Sequence, residues 1–223
     1  MTDVNSSGQN LPHPLFSRFY AKISPGMEAE GMADLRRELL APLTGEVVEV
    51  GAGNGLNFAH YPADVTRVVA IEPEPRLRAL AATAAEVAHP SITVLPGRAQ
   101  HLPLPDHSVD GAVLSLVLCS IPDRGTALTE LLRVLRPGGT LRFLEHTLAD
   151  TGGRRRVQKI ADATLWPLLT GGCHTATDPV GDITAAGFQI GDLRCLHFPA
   201  TGPWMPASPH VLGGATTRTS SQA

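Results

Sequence analysis

Little in this chain assigns a function outright. Aromatic residues make up 4% of its 223 positions, charged residues make up 17%, and the formal net charge is −3. That balance gives no basic patch for a polyanion, so small molecules rather than nucleic acids are the expected partners. No apolar run reaches the roughly 18 residues of a membrane helix. The opening MTDVNSSGQNLPHP also lacks the basic-then-apolar design of a signal peptide. No stable membrane anchor and a cytoplasmic location are therefore expected, while the composition sets no oligomeric state. The three cysteines, Cys119, Cys173 and Cys195, form an odd set without C-x-x-C spacing, which argues against a disulfide framework and against a zinc site. No metal is expected.

Glycine, by contrast, is present in one informative place. VVEVGAGNG, from Val47 to Gly55, runs a mostly apolar strand into three glycines spaced two apart. Such a turn lets the backbone touch a ligand with no Cβ in the way. A second apolar run, VVAIE, delivers Glu72 at its C-terminal end, where doubly wound sheets place the carboxylate that accepts hydrogen bonds from ribose hydroxyls. A dinucleotide fingerprint, G-x-G-x-x-G/A, would put a small residue where this chain has Leu56. Strand-E-x-G-x-G-x-G instead resembles motif I of the class I S-adenosylmethionine-dependent methyltransferases. Their cofactor carries a sulfonium cation and no phosphate, so an acid at Glu49 suits it. Glycines serving turn geometry alone are the alternative.

The length fits one domain with elaborations, at about 150 residues per domain. A disordered lead over 1–13, a single domain over 14–217 and a disordered tail over 218–223 are expected. FSRFYAKISPGMEAEGMADLRRELLAPL reads as two helices broken at Ser24-Pro25-Gly26 that lid or flank the cofactor cleft. Strands and helices then alternate. VVEVG is followed by a helix from Asn54, VVAIE by a helix through PRLRALAATAAEVA, and then come the strands ITVLPG and GAVLSLVLC. A helix over GTALTELLRVL, capped by Asp123 and stopped at Pro137-Gly138-Gly139, leads to GTLRFLEH. This alternation implies a parallel sheet. A helix through RRRVQKIADATLW, the loop PLLTGGCHTATDP and a short helix to Ala186-Gly187 follow. The last strands, FQIGDLRCL and HVLGGAT, have no helix between them and predict a closing antiparallel hairpin.

GNGLNFAHYP, LVLCSIPD, LLRVLRPGG, FLEH, GGC and PHVLGGA occur in that order. From about Phe16 to Ala215 the pattern resembles the methyltransferase-like family, with a methyltransferase type 11 domain, that includes the animal alkyl-thiol S-methyltransferases. The resemblance implies an α/β, Rossmann-like class I methyltransferase fold. Its seven-stranded mixed sheet would have an antiparallel last strand and an N-terminal helical lid. It further implies methyl transfer from S-adenosyl-L-methionine, leaving S-adenosyl-L-homocysteine, to a small molecule, with a thiol sulfur as the first choice of acceptor. An oxygen, nitrogen or carbon of a metabolite, quinone or lipid-like molecule is the rival acceptor, and a non-catalytic binder is the rival of another class. A nicotinamide oxidoreductase is disfavoured by Leu56 and by the lack of an obvious Tyr-x-x-x-Lys pair. The apolar N-terminal anchor of the membrane-bound animal members is absent, which favours a soluble thiol.

Cofactor contacts are assigned to Gly51, Ala52, Gly53 and Asn57 in the turn, to Glu49 before it, to Glu72 and Pro73 after the second strand, and to Leu116 after the fourth. Arg98, Ala99 and Gln100 are expected to touch the base, with the Gln100 amide oxygen standing where many methyltransferases have an acid. Surface loop residues are the alternative there. Tyr20, in the leading helix, is a candidate partner for the cofactor's carboxylate. A thiol with a free pKa of about 8.5 is only slightly ionised at neutral pH, so a base or a positive field would help. His146 and His174 are the candidate catalytic histidines, with a structural hydrogen-bond donor and a lid residue as the respective alternatives. Phe19, Cys119, Trp166 and His210, with Trp204, are candidate walls of the acceptor pocket, against plain core packing. His60 and His89 read as surface residues. Arg154-Arg155-Arg156 reads as a solvated helix start, with steering of an anionic acceptor as its alternative.

Overall fold

Apolar residues at successive strand positions cannot be satisfied by burying one face. β1 (Gly45–Val50), β2 (Val65–Ile71) and β4 (Val109–Ser115) have this character. The computed structural model, which describes residues 14–218, covers them on both sides. Together with β3 (Ser91–Leu95), β5 (Leu135–His146), β6 (Gln189–His197) and β7 (Pro209–Thr216) they form one sheet in the order β3-β2-β1-β4-β5-β7-β6. The first five strands pair in parallel, and β7 pairs antiparallel with both β5 and β6. This is the mixed sheet expected from the sequence.

The helices are α1 (Pro14–Met27), α2 (Ala33–Leu40), α3 (Pro75–Ala85), α4 (Arg124–Val134), α5 (Gly152–Asp162), α6 (Trp166–Leu169) and α7 (Pro179–Ala185). Val48, Val50, Val69, Ile71 and Leu114 pack with Leu128 and Leu131 of α4 and Ile183 of α7. Val47, Val68, Ala70 and Val113 pack with Leu39 and Leu40 of α2 and Ala81 of α3. Strand alternation therefore puts Glu49, two residues after Val47, on the α2 side, inside an apolar layer. Arg142 of β5 donates to the Leu39 carbonyl at 3.0 Å and to the Asp192 carboxylate at 2.7 and 2.8 Å, joining α2 and β6 through one guanidinium.

Several boundaries depart from the sequence reading for local reasons. α1 runs through Pro25 to Met27, and the break falls at Gly31 (φ 108), within the π-type segment Glu28–Met32. A proline removes one helical hydrogen bond, whereas a positive φ leaves the right-handed helix altogether. No α-helix starts at Asn54: Gly53 and Gly55 hold φ at 57 and 82, and the chain makes only a 3-10 turn at Phe58–His60. β4 stops at Ser115, short of Cys119, because Leu116 adopts φ 57 and a 3-10 turn covers Leu118–Ser120. Pro137-Gly138-Gly139 lies inside β5 as a bulge, with Val109 opposite Leu135 and Gly111 opposite Thr140. The helix expected through Trp166 is two, α5 and α6. The expected lead, and all of the expected tail except Arg218, lie outside the described residues. No helix among the described residues is long and apolar enough to cross a membrane.

A Cβ on Gly213 of β7 would stand 2.7 Å from the Asp192 carbonyl oxygen and 2.9 Å from Phe143 Cζ. Gly213→Val raises intrinsic strand propensity, yet it is expected to lower stability by about 1–3 kcal/mol through overpacking. A urea midpoint equal to or above that of the unaltered protein would contradict this packing.

Candidate cofactor and acceptor site

The chain leaves β1 by turning at Gly51 (φ 71), Gly53 (φ 57) and Gly55 (φ 82). A Cβ on Gly51 would also run into Val117 Cγ2. The Gly51 and Ala52 amides donate to the Ile71 carbonyl at 2.8 and 3.2 Å, which ties the turn to the end of β2. The Gly53 amide then donates to Glu72 Oε2 at 2.8 Å, and the Glu74 amide donates to Oε1 at 2.9 Å. Burial pushes the Glu72 carboxyl upward against the pull of those two amides. Each of its oxygens keeps a further acceptor direction, so Glu72 braces the turn and can still receive a hydroxyl.

Tyr20 of α1 lies over this turn, with Cε1 3.5 Å from where a Gly53 Cβ would be. Asn54 Nδ2 donates to Ser24 Oγ at 3.1 Å, so α1 is the expected lid. The Glu72 amide donates to Leu95 at the end of β3. Beyond it come Arg98, exposed, Ala99, buried, and Gln100, half-buried. Pro73 is exposed and its carbonyl accepts from Arg78 at 3.0 Å.

The turn rests on a buried polar chain. Glu49 accepts from Asn57 Nδ2 at 2.8 Å and from the Tyr61 hydroxyl at 2.6 Å. Arg36 Nη1 donates to Asn57 Oδ1 at 2.7 Å and to Ser115 Oγ at 3.2 Å, while its Nε donates to Glu28 at 2.9 Å. Burial raises the Glu49 carboxyl to about 7, outweighing the bonds from Tyr61 and Asn57 and the charge of Arg36. The sequence reading missed Arg36, which is 5% exposed. Its signal was there, since Met32, Arg36, Leu39, Leu40 and Leu43 recur on one helical face, and a charge in an apolar stripe requires a partner.

On the other side of the turn, the Leu116 amide donates to the Leu144 carbonyl at 2.8 Å. The Val117 and Leu118 amides both donate to Glu145 Oε1 at 3.0 Å. Burial raises Glu145 to about 7, and its Oε2 is buried without a hydrogen-bond partner. Beyond Glu145, the donor atoms of Cys119, His146 and Cys173 all lie within 4.8 Å of one another. α5 fixes the loop that carries Cys173. Gln158 Nε2 donates to the carbonyls of Thr147, Thr175 and Pro206, and Asp162 accepts from the Thr175 and Ala176 amides. The His174 amide donates to the Cys119 carbonyl at 3.0 Å, which sets the cysteines side by side. Contact with Cys119, and then with His146, pulls the Cys173 thiol down to about 5 against burial.

The His210 ring lies 4.5 Å from that of His146, and burial lowers its pKa to about 3. Trp166 stands beside Cys173. Cys119, His146, Trp166 and His210 are thus brought together, and Cys173 joins them without any local motif to announce it. The His174 imidazole is exposed, 3.9 Å from Asp162 and outside the cluster. The Phe19 side chain lies outside the described residues. Trp204 sits under Arg154 at 5.3 Å, in a groove with His197 and Pro203. His60 is half-buried, 4.0 Å from Glu28, rather than on the surface, because α2 and its preceding segment cover it; His89 is exposed.

A family model described as a methyltransferase domain matches residues 48–143. The chain is 35% identical to human thiol S-methyltransferase TMT1A over 83% of itself and 80% of that protein. It is 31% identical to human thiol S-methyltransferase TMT1B over 93% of itself and 88% of that protein. This chain belongs to their methyltransferase family. Its fold is similar to that of an S-adenosylmethionine-dependent methyltransferase from Thermotoga maritima, with a TM-score of 0.67 at 21% identity over 92% and 99% of the two chains. The methyltransferase uses S-adenosylmethionine, and its site fits that group. The three glycines of the turn present no Cβ, Tyr20 covers Gly53, and the buried acids Glu49 and Glu72 suit a cationic ligand with a ribose.

Removing Arg36 would leave Glu28, Asn57 and Ser115 without their shared donor. Arg36→Met is expected to destabilise the methyltransferase by about 3–5 kcal/mol, read from urea denaturation. An unchanged midpoint would show that the buried chain does not hold α2 to the turn.

Proposed function

We propose that this methyltransferase transfers a methyl group to the sulfur of a small thiol, acting as a single domain over 14–217 in the cytoplasm. The observation that carries the reading is the Cys119–His146–Cys173 cluster, at the C-terminal ends of β4 and β5 and beside the glycine turn. The thiol S-methyltransferases among its relatives support it, and three free cysteines suit a reducing compartment.

When bound, the cofactor supplies a methyl group on a sulfonium centre. In this reading Glu72 receives the ribose hydroxyls, Tyr20 the cofactor's carboxylate, and Arg98, Ala99 and Gln100 the base. Gly51, Ala52, Gly53, Pro73 and Leu116 line the cofactor with backbone, and Glu49 with Asn57 sets a negative field beneath it. His146 favours the ionised acceptor, with His174 at the mouth, while Cys119, Trp166 and His210 wall the acceptor. Alignment of acceptor and methyl in a dry pocket contributes several kcal/mol or more.

Isotopically labelled cofactor offered with thiols, dithiols, phenols and amines tests the acceptor. Labelled thioethers are expected by mass, and labelled ethers or methylamines in their place would move the assignment to oxygen or nitrogen. Glu72→Ala is expected to weaken cofactor binding about tenfold or more in calorimetry, and an unchanged titration would remove the ribose role. His146→Ala is expected to slow turnover more than it weakens cofactor affinity; an unaltered rate would leave the residue structural.

Glu49, raised to about 7, is neutral at lower pH and charged above it. The folded protein keeps a proton that the unfolded chain loses near 4.5, so this group's contribution to stability declines as pH rises from 4.5 to 7. A cationic ligand favours the carboxylate, so affinity for S-adenosylmethionine should rise between about pH 6 and pH 8 with release of a proton. Glu49→Gln should flatten that rise in calorimetry. A slope retained by the variant would take Glu49 out of the cofactor's field.

A further inference from the structure

Cys119, His146 and Cys173 come from three separate segments: a 3-10 turn after β4, the last residue of β5, and the loop after α6. The fold brings their sulfur and nitrogen donors within 4.8 Å of one another, with both cysteines buried. A tetrahedral zinc site, with zinc–sulfur bonds of about 2.3 Å, holds its sulfurs roughly 3.8 Å apart, so the donors need close by only about an ångström at most. Glu145 Oε2, His146 Nδ1, Trp166 Nε1 and His210 Nε2 are buried around the cluster without a well-formed hydrogen bond, the His146 and Trp166 rings having only the Cys173 sulfur and, for His146, the Ala207 carbonyl as polar neighbours. Buried polar atoms in such number want a ligand. The Ala207 carbonyl neighbours the His146 imidazole, as a backbone carbonyl does behind many metal-bound histidines. The missing C-x-x-C spacing does not count against this site, since that spacing belongs to ligands on one local turn, whereas these converge from distant strands and loops.

We propose that Cys119, His146 and Cys173 bind one zinc ion, with the fourth position facing the acceptor pocket. Two thiolates and an imidazole with one open position make a catalytic rather than a structural zinc set. A thiol entering that position loses its proton to solvent and binds as thiolate. Its sulfur lone pair then forms the bond to the methyl carbon, while the bond from that carbon to the cofactor sulfur breaks and its electron pair stays on that sulfur. The product is a neutral thioether, a weak zinc ligand, which leaves. The role in turnover rests on the thiol reading above, while the binding of zinc does not. Cys195, exposed on the edge strand β6 and not among the clustered donors, takes no part.

The test is metal content and cobalt substitution of the full chain purified without chelator. About one zinc per chain is expected, and cobalt added to the metal-free protein should give thiolate-to-metal charge-transfer absorption. Cys119→Ser and Cys173→Ser should each lose the absorption and weaken zinc binding tenfold or more, while Cys195→Ser keeps both. Cofactor calorimetry on each variant verifies its fold. Metal-free wild-type protein that takes up no zinc and shows no cobalt–thiolate absorption overturns the proposal, as does a Cys119–Cys173 disulfide in the protein as purified under reducing conditions. Thioether formation by such metal-free protein leaves the thiol reading intact. Stoichiometric zinc without thioether from any thiol sinks the thiol reading and leaves the site.

Discussion

The hydrogen bond from the Gly53 amide to Glu72 joins the ends of two neighbouring parallel strands, and the cofactor side of the molecule depends on it. Three positive φ values leave the loop after β1 without helical or strand bonding of its own. The amides of Gly51, Ala52 and Gly53 find their partners across the gap, at the Ile71 carbonyl and the Glu72 carboxylate, while the Gly55 amide turns back to the Ala52 carbonyl. A buried carboxylate that spends one lone pair on each of two amides is oriented without being exhausted. The same group can therefore shape the turn and read a sugar.

The second constraint is charge inside an apolar layer. Glu49 faces α2 because strand periodicity gives it no other side, and a bare carboxylate there would be costly. Tyr61 and Asn57 satisfy it, Arg36 satisfies Asn57, and Glu28 satisfies Arg36. The result links the helical lid, the glycine turn and the end of β4 in one network, so ligand binding at the turn and the position of the lid share the same bonds. Glu145 repeats the device on β5, holding the backbone at Val117 and Leu118 through one oxygen while the other is buried without a hydrogen-bond partner.

What was legible in the sequence was whatever short-range pattern encodes. The apolar runs VVEV and VVAI gave buried parallel strands, the glycine spacing gave the turn, and the absence of a helix between the last two strands gave the antiparallel closure. Local pattern failed where a single φ decides the path: Gly31 breaks the lid in place of Pro25, and Leu116 ends β4 four residues before its apolar run does. It also failed for contacts made only by folding. Cys173 meets Cys119 and His146 through bonds from Gln158, Asp162 and the His174 amide. None of these bonds has a sequence signature. Arg36 is the intermediate case, a charge on an apolar stripe whose partner only the fold could name.

The two halves of the site meet at Val117. Its side chain fills the space a Cβ on Gly51 would need, and its amide is held by Glu145, so the cofactor turn and the acceptor edge abut through one residue. The most direct test of this account is a crystal structure of the protein with S-adenosylhomocysteine. The account predicts both ribose hydroxyls within hydrogen-bond distance of Glu72 and the cofactor sulfur turned toward Cys119, His146 and Cys173. A ribose bound away from Glu72, or a sulfur pointing away from that cluster, would contradict it.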